Sequence, residues 1–259
     1  MTTSPLKEEL DFTQPVKVSP AEIGPANLYG RLISRSNRLS RILGPTTFSA
    51  LRQANDAFGL RMLSMSELIP VIYSSSRNPG GLISKEVIHR LNYSWLTGDT
   101  AILPGSKGIF FQDKSKTEDG RVVMNEKKLE NKLGSYQERG AVFSDDRSIR
   151  FAPYGFETEL LRSKEIPKNS GVIAWGGSVE NAEMLAELSR SYKEPPYFWV
   201  KSNVALPEYF GPKSNVINPR IRIADINGNG DSNGRLNIGA DGFEIENNVR
   251  YSFGVPISD

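Results

Sequence analysis

Polar and apolar residues alternate in the C-terminal part of the chain. Short segments with an apolar residue at every second position interrupt a strongly polar background at 221–223, 235–238, 243–245 and 249–253. Successive side chains of a strand point to opposite faces, so this pattern predicts strands with one buried and one exposed face. Asparagine is rare in strands, yet 203–248 contains about as many asparagines as the rest of the chain. We therefore expect a small antiparallel sheet that displays polar side chains as a binding surface.

Helical periodicity marks the sequence further upstream. Apolar residues recur at helical spacing over 46–58, and Gly59 follows where helices commonly end in a left-handed residue. A second helix is predicted over 64–73, because Ser64 and Glu67 have the spacing of a capping box. Further helices are predicted over 85–91, 125–134 and 179–192, the last with Ser178 as its N-cap.

The middle of the chain has the pattern of short strands joined by turns. Brief apolar runs rich in β-branched and aromatic residues are separated there by Asp and Gly residues that favour turns. Strands are predicted over 109–112, 121–124, 141–143, 149–151, 172–175 and 197–201.

The first 28 residues contain Pro5, Pro15, Pro20 and Pro25. Proline at this density blocks regular backbone hydrogen bonding. We expect an extended N-terminal arm that lies on the protein body or on a neighbouring subunit.

Composition narrows the classes of function. The chain has 259 residues and a formal net charge of +2, which gives no electrostatic reason to expect binding to nucleic acid or to a membrane. It has no Cys and a single histidine, His89, which excludes thiol chemistry and histidine-based metal clusters. Catalysis is not expected from this inventory, and no cofactor is called for.

Two separated segments resemble one known family. The first, 58–68, reads Phe-Gly-Leu-Arg-Met-Leu-Ser-Met-Ser-Glu-Leu between two predicted helices. The second begins at Trp199, continues through Ser202-Asn203 and ends with 251–255. Together they are similar to C-type-lectin-like domains related to the formylglycine-generating enzyme, although Ser-Phe-Gly-Val stands where Gly-Phe-Arg is usual.

The resemblance implies an α+β, C-type lectin-like fold with a β-rich insertion over about 93–175. Residues 29–259 are then a single domain that follows the arm of 1–28. The asparagine-rich end resembles the variable region of proteins diversified by retroelements, in which adenine-directed mutagenesis rewrites Asn-type codons. The variable region is expected over about 199–257, and a virion or cell surface is the expected location.

The resemblance and the outward polar pattern together predict non-enzymatic recognition of a protein or cell-surface ligand. The predicted contact residues are polar and aromatic residues of the variable region: Asn203, Glu208, Tyr209, Asn215, Asn218, Asn227, Asn229, Asp231, Asn233, Asp241, Asn247 and Asn248. For Tyr209 and Phe210 the sequence leaves a second reading open, a hydrophobic plug beneath the loop.

Three alternatives accompany this prediction. Residues 225–233 match the opening of an EF-hand calcium loop, but Leu236 occupies the position of the bidentate Glu, so an exposed loop is favoured. A structural virion protein that assembles through the N-terminal arm is compatible with recognition. An enzyme of the formylglycine-generating type is disfavoured, because that chemistry uses thiols.

Overall fold

The computed structural model of this chain describes residues 16–18, 28–33, 47–118, 121–156, 159–200, 221–228, 234–242 and 250–257. The helices are α1 (Thr47–Asp56), α2 (Met65–Arg77), α3 (Leu82–Tyr93), α4 (Glu126–Glu130), α5 (Ser170–Gly176) and α6 (Val179–Ser189), with a 3-10 turn at Ile166–Lys168. The strands are β1 (Val16–Val18), β2 (Leu28–Ile33), β3 (Leu60–Met62), β4 (Trp95–Pro104), β5 (Gly108–Asp113), β6 (Thr117–Glu118), β7 (Arg121–Val122), β8 (Gln137–Glu138), β9 (Ala141–Phe143), β10 (Ile149–Pro153), β11 (Glu159–Leu160), β12 (Tyr197–Trp199), β13 (Arg222–Asn227), β14 (Asn237–Gly242) and β15 (Arg250–Pro256).

The helix predictions are confirmed wherever a local capping signal supports them. Helix α1 ends before Gly59, whose φ of 65° is left-handed. Helix α2 begins after Ser64, whose backbone N–H donates to the Glu67 carboxylate at 2.9 Å. It continues past the predicted end at residue 73 to Arg77, because no Gly or Pro follows to stop it before Asn78-Pro79.

Strand β4 is the centre of the main sheet. One edge of β4 pairs antiparallel with β13, which continues to β14 and then, in parallel, to β12 and its edge strand β11. The other edge of β4 pairs in parallel with β15 near Trp95 and antiparallel with β5 from Thr100 onward. Strands β10, β9 and β8 then follow β5 in the sheet. No sequence signal had marked β4, although the strands around it were predicted. The segment treated as an insertion therefore supplies the central strand of the sheet.

The last strand joins the two termini. Strand β15 pairs with β2 and β3 as well as with β4, so it holds the N-terminal strands to the centre of the sheet. Within the predicted N-terminal arm, residues 16–18 form β1, which pairs with β2 and thus lies on the protein body.

Hydrophobic clusters cover both faces of the sheet. One cluster contains Ile102 of β4 and residues of α2, α3, α5 and α6. The other contains its neighbours Ala101 and Leu103 together with residues of α1 and α4. Successive side chains of a strand point to opposite faces, so the two clusters are two layers of core. Within the described ranges, none of the helices is both long and apolar enough to cross a lipid bilayer.

Because both faces are covered, the prediction that polar residues face water is wrong for β13 and β15. Arg250 is 6% exposed and Ser252 0%, although they alternate with the apolar residues of 249–253. Asp225 is 1% exposed and Asn227 8%, although both lie in the segment for which an exposed loop was favoured. These polar groups are buried and bonded to protein groups instead. Strands β13, β14 and β15 overlap the predictions at 221–223, 235–238 and 249–253, but β13 continues through 225–227, where a loop was favoured. The strand predicted at 243–245 lies outside the described residues.

The strand predicted over 172–175 is also wrong, since these residues lie in α5. The Asn169 side chain accepts a hydrogen bond from the Val172 N–H at 3.1 Å and starts the helix. Gly177, with a φ of 89°, ends it. The residues of α5 after Ser170 are all buried, so its apolar run has no polar face that would reveal a helical period.

Candidate functional site

The predicted variable region leaves the sheet at two opposite ends. We define end A by Val200, Ile221 and Gly242, and end B by Asn227, Asn237 and Arg250. The register of β13 and β14 pairs Arg222 with Gly242 at end A and Asn227 with Asn237 at end B. At about 3.3 Å per residue, the two ends are about 17 Å apart along these strands.

End A holds both ends of the longest polar segment. Residues 201–220 begin after Val200 and return at Ile221, which are 1% and 2% exposed. Residues 243–249 also leave from end A, at Gly242, and rejoin the sheet at Arg250 on end B. Residues 229–233 connect Gly228 to Gly234 on end B.

The predicted contact residues therefore divide between the two ends. Residues Asn203, Glu208, Tyr209, Asn215, Asn218, Asn229, Asp231, Asn233, Asn247 and Asn248 lie outside the described residues, as does the side chain of Asp241. The first five belong to the segment anchored at end A, and the backbone of Asp241 pairs with Ile223 beside that end. The remaining five belong to segments that begin or finish at end B.

Asn227 differs from the prediction. It is buried, and its amide donates to the Ser94 carbonyl at 2.7 Å. The following Gly228 is fixed as well, because a Cβ there would lie 2.4 Å from the Tyr192 hydroxyl. Asn227 therefore fixes the backbone at Ser94, the residue between α3 and β4, and does not face a ligand.

A buried ion pair lies close to end B. The Arg250 guanidinium is 2.6 Å from the Asp225 carboxylate, and both side chains are less than a tenth exposed. Asp225 would be the first ligand of the EF-hand alternative, but here it is a strand residue whose charge is matched by Arg250. The described residues contain no group of three or more acidic or histidine side chains that could hold a metal ion.

A second buried ion pair joins four elements. Asp113 of β5 accepts two hydrogen bonds from Arg150 of β10, at 2.7 and 2.6 Å, one from Thr100 at 2.6 Å and one from Ser66 at 3.0 Å. Sequence analysis missed this network and the Arg250–Asp225 pair. The one signal available was a charged residue inside an apolar strand, which does not identify its partner.

The remaining polar candidates have structural positions. His89 is exposed on α3, and its ring lies 4.8 Å from the Tyr93 ring. The Trp175 indole is fully buried and donates to the Gly239 carbonyl at 2.9 Å, which ties α5 to β14. Trp199 is half-buried between the buried Phe198 and Val200.

Comparison with known proteins shows the fold. No protein-family model matches this chain, and no curated protein matches it in sequence. Among solved structures, the chain is similar to one described as "Accommodation of massive sequence variation in Nanoarchaeota by the C-type lectin fold", with a TM-score of 0.53 and 14% sequence identity. The match covers 95% of this chain and 100% of that chain. At this identity the similarity establishes the fold alone: the α+β fold predicted from the sequence, a C-type lectin fold, is confirmed.

Proposed function

We propose that this chain is a ligand-recognition protein whose polar segments, held by a C-type lectin fold, contact a protein or cell-surface molecule. One observation carries the proposal: Val200, Ile221 and Gly242 anchor two polar segments at the same end of a sheet that is buried on both faces. The proposed role is binding. The buried charges of Asp113 and Arg250 serve the scaffold, because each bonds to protein groups of neighbouring strands.

The burial of the strands explains how the segments can change. Ile223 and Ile226 of β13 belong to the two different core clusters, so substitution within the strand would open a cavity on one face or the other. An exposed loop position usually tolerates substitution within about 0.5 kcal/mol. Sequence change confined to the connecting segments therefore leaves the scaffold intact.

The proposed contact surface is centred on end A. It comprises Asn203, Glu208, Tyr209, Asn215 and Asn218 of the segment anchored there, together with Asp241. Residues Asn229, Asp231, Asn233, Asn247 and Asn248 belong to a second group whose nearer anchors are at end B. Asn227 is removed from the set. Display of several copies on a virion or cell surface would raise the avidity of a weak single site.

A selection experiment tests the proposal. Asn203, Tyr209, Asn215 and Asn218 are randomised in the full chain, and the displayed library is selected against egg-white lysozyme as a defined protein probe. We expect binders whose free energy of unfolding differs from the parent by about 0.5 kcal/mol or less for each substitution. Binding is measured by surface plasmon resonance and stability by urea denaturation.

The control library randomises four exposed scaffold positions: Lys127, Glu130, Lys132 and Lys164. It should retain the fold but give no binders of comparable affinity. The proposal fails if the two libraries give binders equally often, or if most end A variants do not fold.

We further propose that the chain is the variable protein of a diversity-generating retroelement. Support comes from the asparagine-rich segments and from similarity to a C-type lectin fold that accommodates sequence variation. Sequencing the genomic neighbourhood should find a near-copy of the 3′ end beside a reverse transcriptase gene, differing chiefly at adenines. Differences spread evenly over all four bases would contradict this.

A further inference from the structure

A cleft of about 460 Å³ lies between the end of β10 and the 3-10 turn. Its walls are Pro153, Tyr154, Gly155 and Phe156 on one side, and Glu165, Lys168, Asn169 and Ser170 on the other. A volume of this size matches that of small-molecule and side-chain pockets in other proteins.

The cleft adjoins end A. Pro153 pairs with Gly108, which follows the hairpin between β4 and β5. The same end of β4 pairs with Arg222 of β13, next to Ile221 of end A. The Phe156 ring lies 6.1 Å from the ring of Phe198, and Val200, one of the anchors of end A, is two residues further along. The cleft and end A therefore lie at the same end of the sheet.

One wall of the cleft is aromatic and rigid. Tyr154 is 37% exposed, and its hydroxyl is held by the Gly105 carbonyl at 2.8 Å. The half-buried Phe156 ring sits directly against Gly171, where an added Cβ would come within 2.5 Å of it. Fixed aromatic surface of this kind offers large contact area at a low entropic cost.

The opposite wall presents a positive charge. Lys168 is exposed, and its ammonium has no hydrogen bond or ion pair with any described residue. Glu165 does not pair with Lys168. Its carboxylate instead accepts a hydrogen bond from the Arg162 N–H at 2.9 Å and lies 3.9 Å from the Arg162 guanidinium. The cleft thus combines aromatic surface with an exposed lysine that pairs with none of the described residues.

We propose that the cleft binds an aromatic group that carries a nearby carboxylate, as in an acidic–aromatic segment of a protein ligand. The ring packs against Tyr154 and Phe156, and the carboxylate pairs with Lys168. The inference rests on the proposed function for the identity of the ligand as a protein. The cleft is then the constant part of the binding surface, beside segments that vary.

The probe for the test is N-acetyl-phenylalanine, titrated into the isotope-labelled full chain while amide NMR signals are followed. We expect saturable shifts at Gly155, Lys168 and Ser170, with a dissociation constant on the order of 1 mM for so small a ligand. The uncharged amide of the same compound should bind about fivefold more weakly, as expected for the loss of a surface ion pair. In Lys168→Gln the acid and the amide should bind equally.

The matched control is Lys164→Gln, which removes an exposed lysine four residues earlier that does not line the cleft. It should keep the preference for the acid. Absence of saturable shifts in the parent chain, or equal binding of acid and amide there, would overturn the inference.

A third outcome would overturn it differently. If the probe binds only after Glu208, Tyr209 and Phe210 are changed to Ala, the chain's own segment occupies the cleft. These results are separable from the library selection, because a cleft that binds no probe leaves selection at Asn203, Asn215 and Asn218 unaffected.

Discussion

Asp113 is the residue on which four elements converge, through Ser66 of α2, Thr100 of β4 and Arg150 of β10. Asp113→Asn would leave the guanidinium of Arg150, which is 1% exposed, without a matching charge. We expect a loss of about 3–5 kcal/mol in the free energy of unfolding, as for other broken buried ion pairs. Urea denaturation of parent and variant measures it.

The control for Asp113 is the exposed ion pair between Lys107 and Glu130, whose charged atoms are 3.5 Å apart. Lys107→Gln should cost no more than about 1 kcal/mol. Comparable losses in the two variants would contradict the structural role assigned to Asp113.

Asp99 should make stability depend on pH near neutrality. Burial raises the pKa of its carboxyl from 3.8 to about 7, although the nearby Arg52, at 3.6 Å, partly opposes the shift. The folded chain holds this proton more tightly than the unfolded chain, so the stabilisation is full below about pH 4 and is lost as the pH rises through 7. The amount lost is about 4 kcal/mol by linkage.

Asp99→Asn should remove that dependence. Denaturant unfolding at several pH values should show that the free energy of unfolding of Asp99→Asn rises relative to that of the parent between pH 4 and pH 8. Asp145→Asn, on an exposed turn, is the matched control. A constant difference between parent and Asp99→Asn across this range would refute the assignment.

At the scale of elements, α2 and α6 are joined by a side-chain hydrogen bond to a carbonyl that a proline leaves without its helical donor. Pro70 lies inside α2 and has no N–H for the Ser66 carbonyl one turn earlier. Asn181 of α6 donates to that carbonyl at 3.0 Å and to the Gly176 carbonyl at 2.6 Å. The side chain of one helix thus replaces a backbone bond of another.

A double-mutant cycle tests this arrangement. Asn181→Ala should cost about 1–3 kcal/mol, because part-buried carbonyls lose their donor. Pro70→Ala restores a backbone donor for Ser66, so Asn181→Ala should be less damaging in that background. Additive effects measured by chemical denaturation would show that the two sites are independent.

These elements also show what sequence reasoning can reach. Helices α1, α2 and α6 were predicted because Gly59, Ser64 and Ser178 mark their ends locally. Helix α5 was missed because Val172–Trp175 is apolar on every side, and its identity depends on the layers that surround it. Strand β4 escaped notice for a different reason: Gly98 and Asp99 in its middle are residues typical of turns, although both are buried here.

At the scale of the whole molecule, strand β15 holds the fold together by pairing with β2, β3 and β4. Ending the chain after Arg250 removes Tyr251, Phe253 and Val255 from the core. We expect no cooperative unfolding transition from that variant by circular dichroism, whereas a chain ending after Ile257 should unfold like the parent. A cooperative transition in the shorter chain would contradict the central role of β15.

The candidate site could be predicted only in part. Composition marked the polar segments between Asn203 and Asn248, and alternation placed the strands between them. The division of those segments between end A and end B could not be predicted, because it depends on which strands are neighbours and in which direction they run. The burial of Asn227 and Asp225 depends equally on a second layer of core that local patterns do not reveal.

The position of β15 constrains how the protein is made. Its partners β2, β3 and β4 are translated long before it, so the sheet cannot close until residues 250–257 have cleared the ribosomal exit tunnel. Until then their unpaired edges remain available to chaperones or to other nascent chains. A change of sequence in the polar segments that connect the strands would leave this late closure in place.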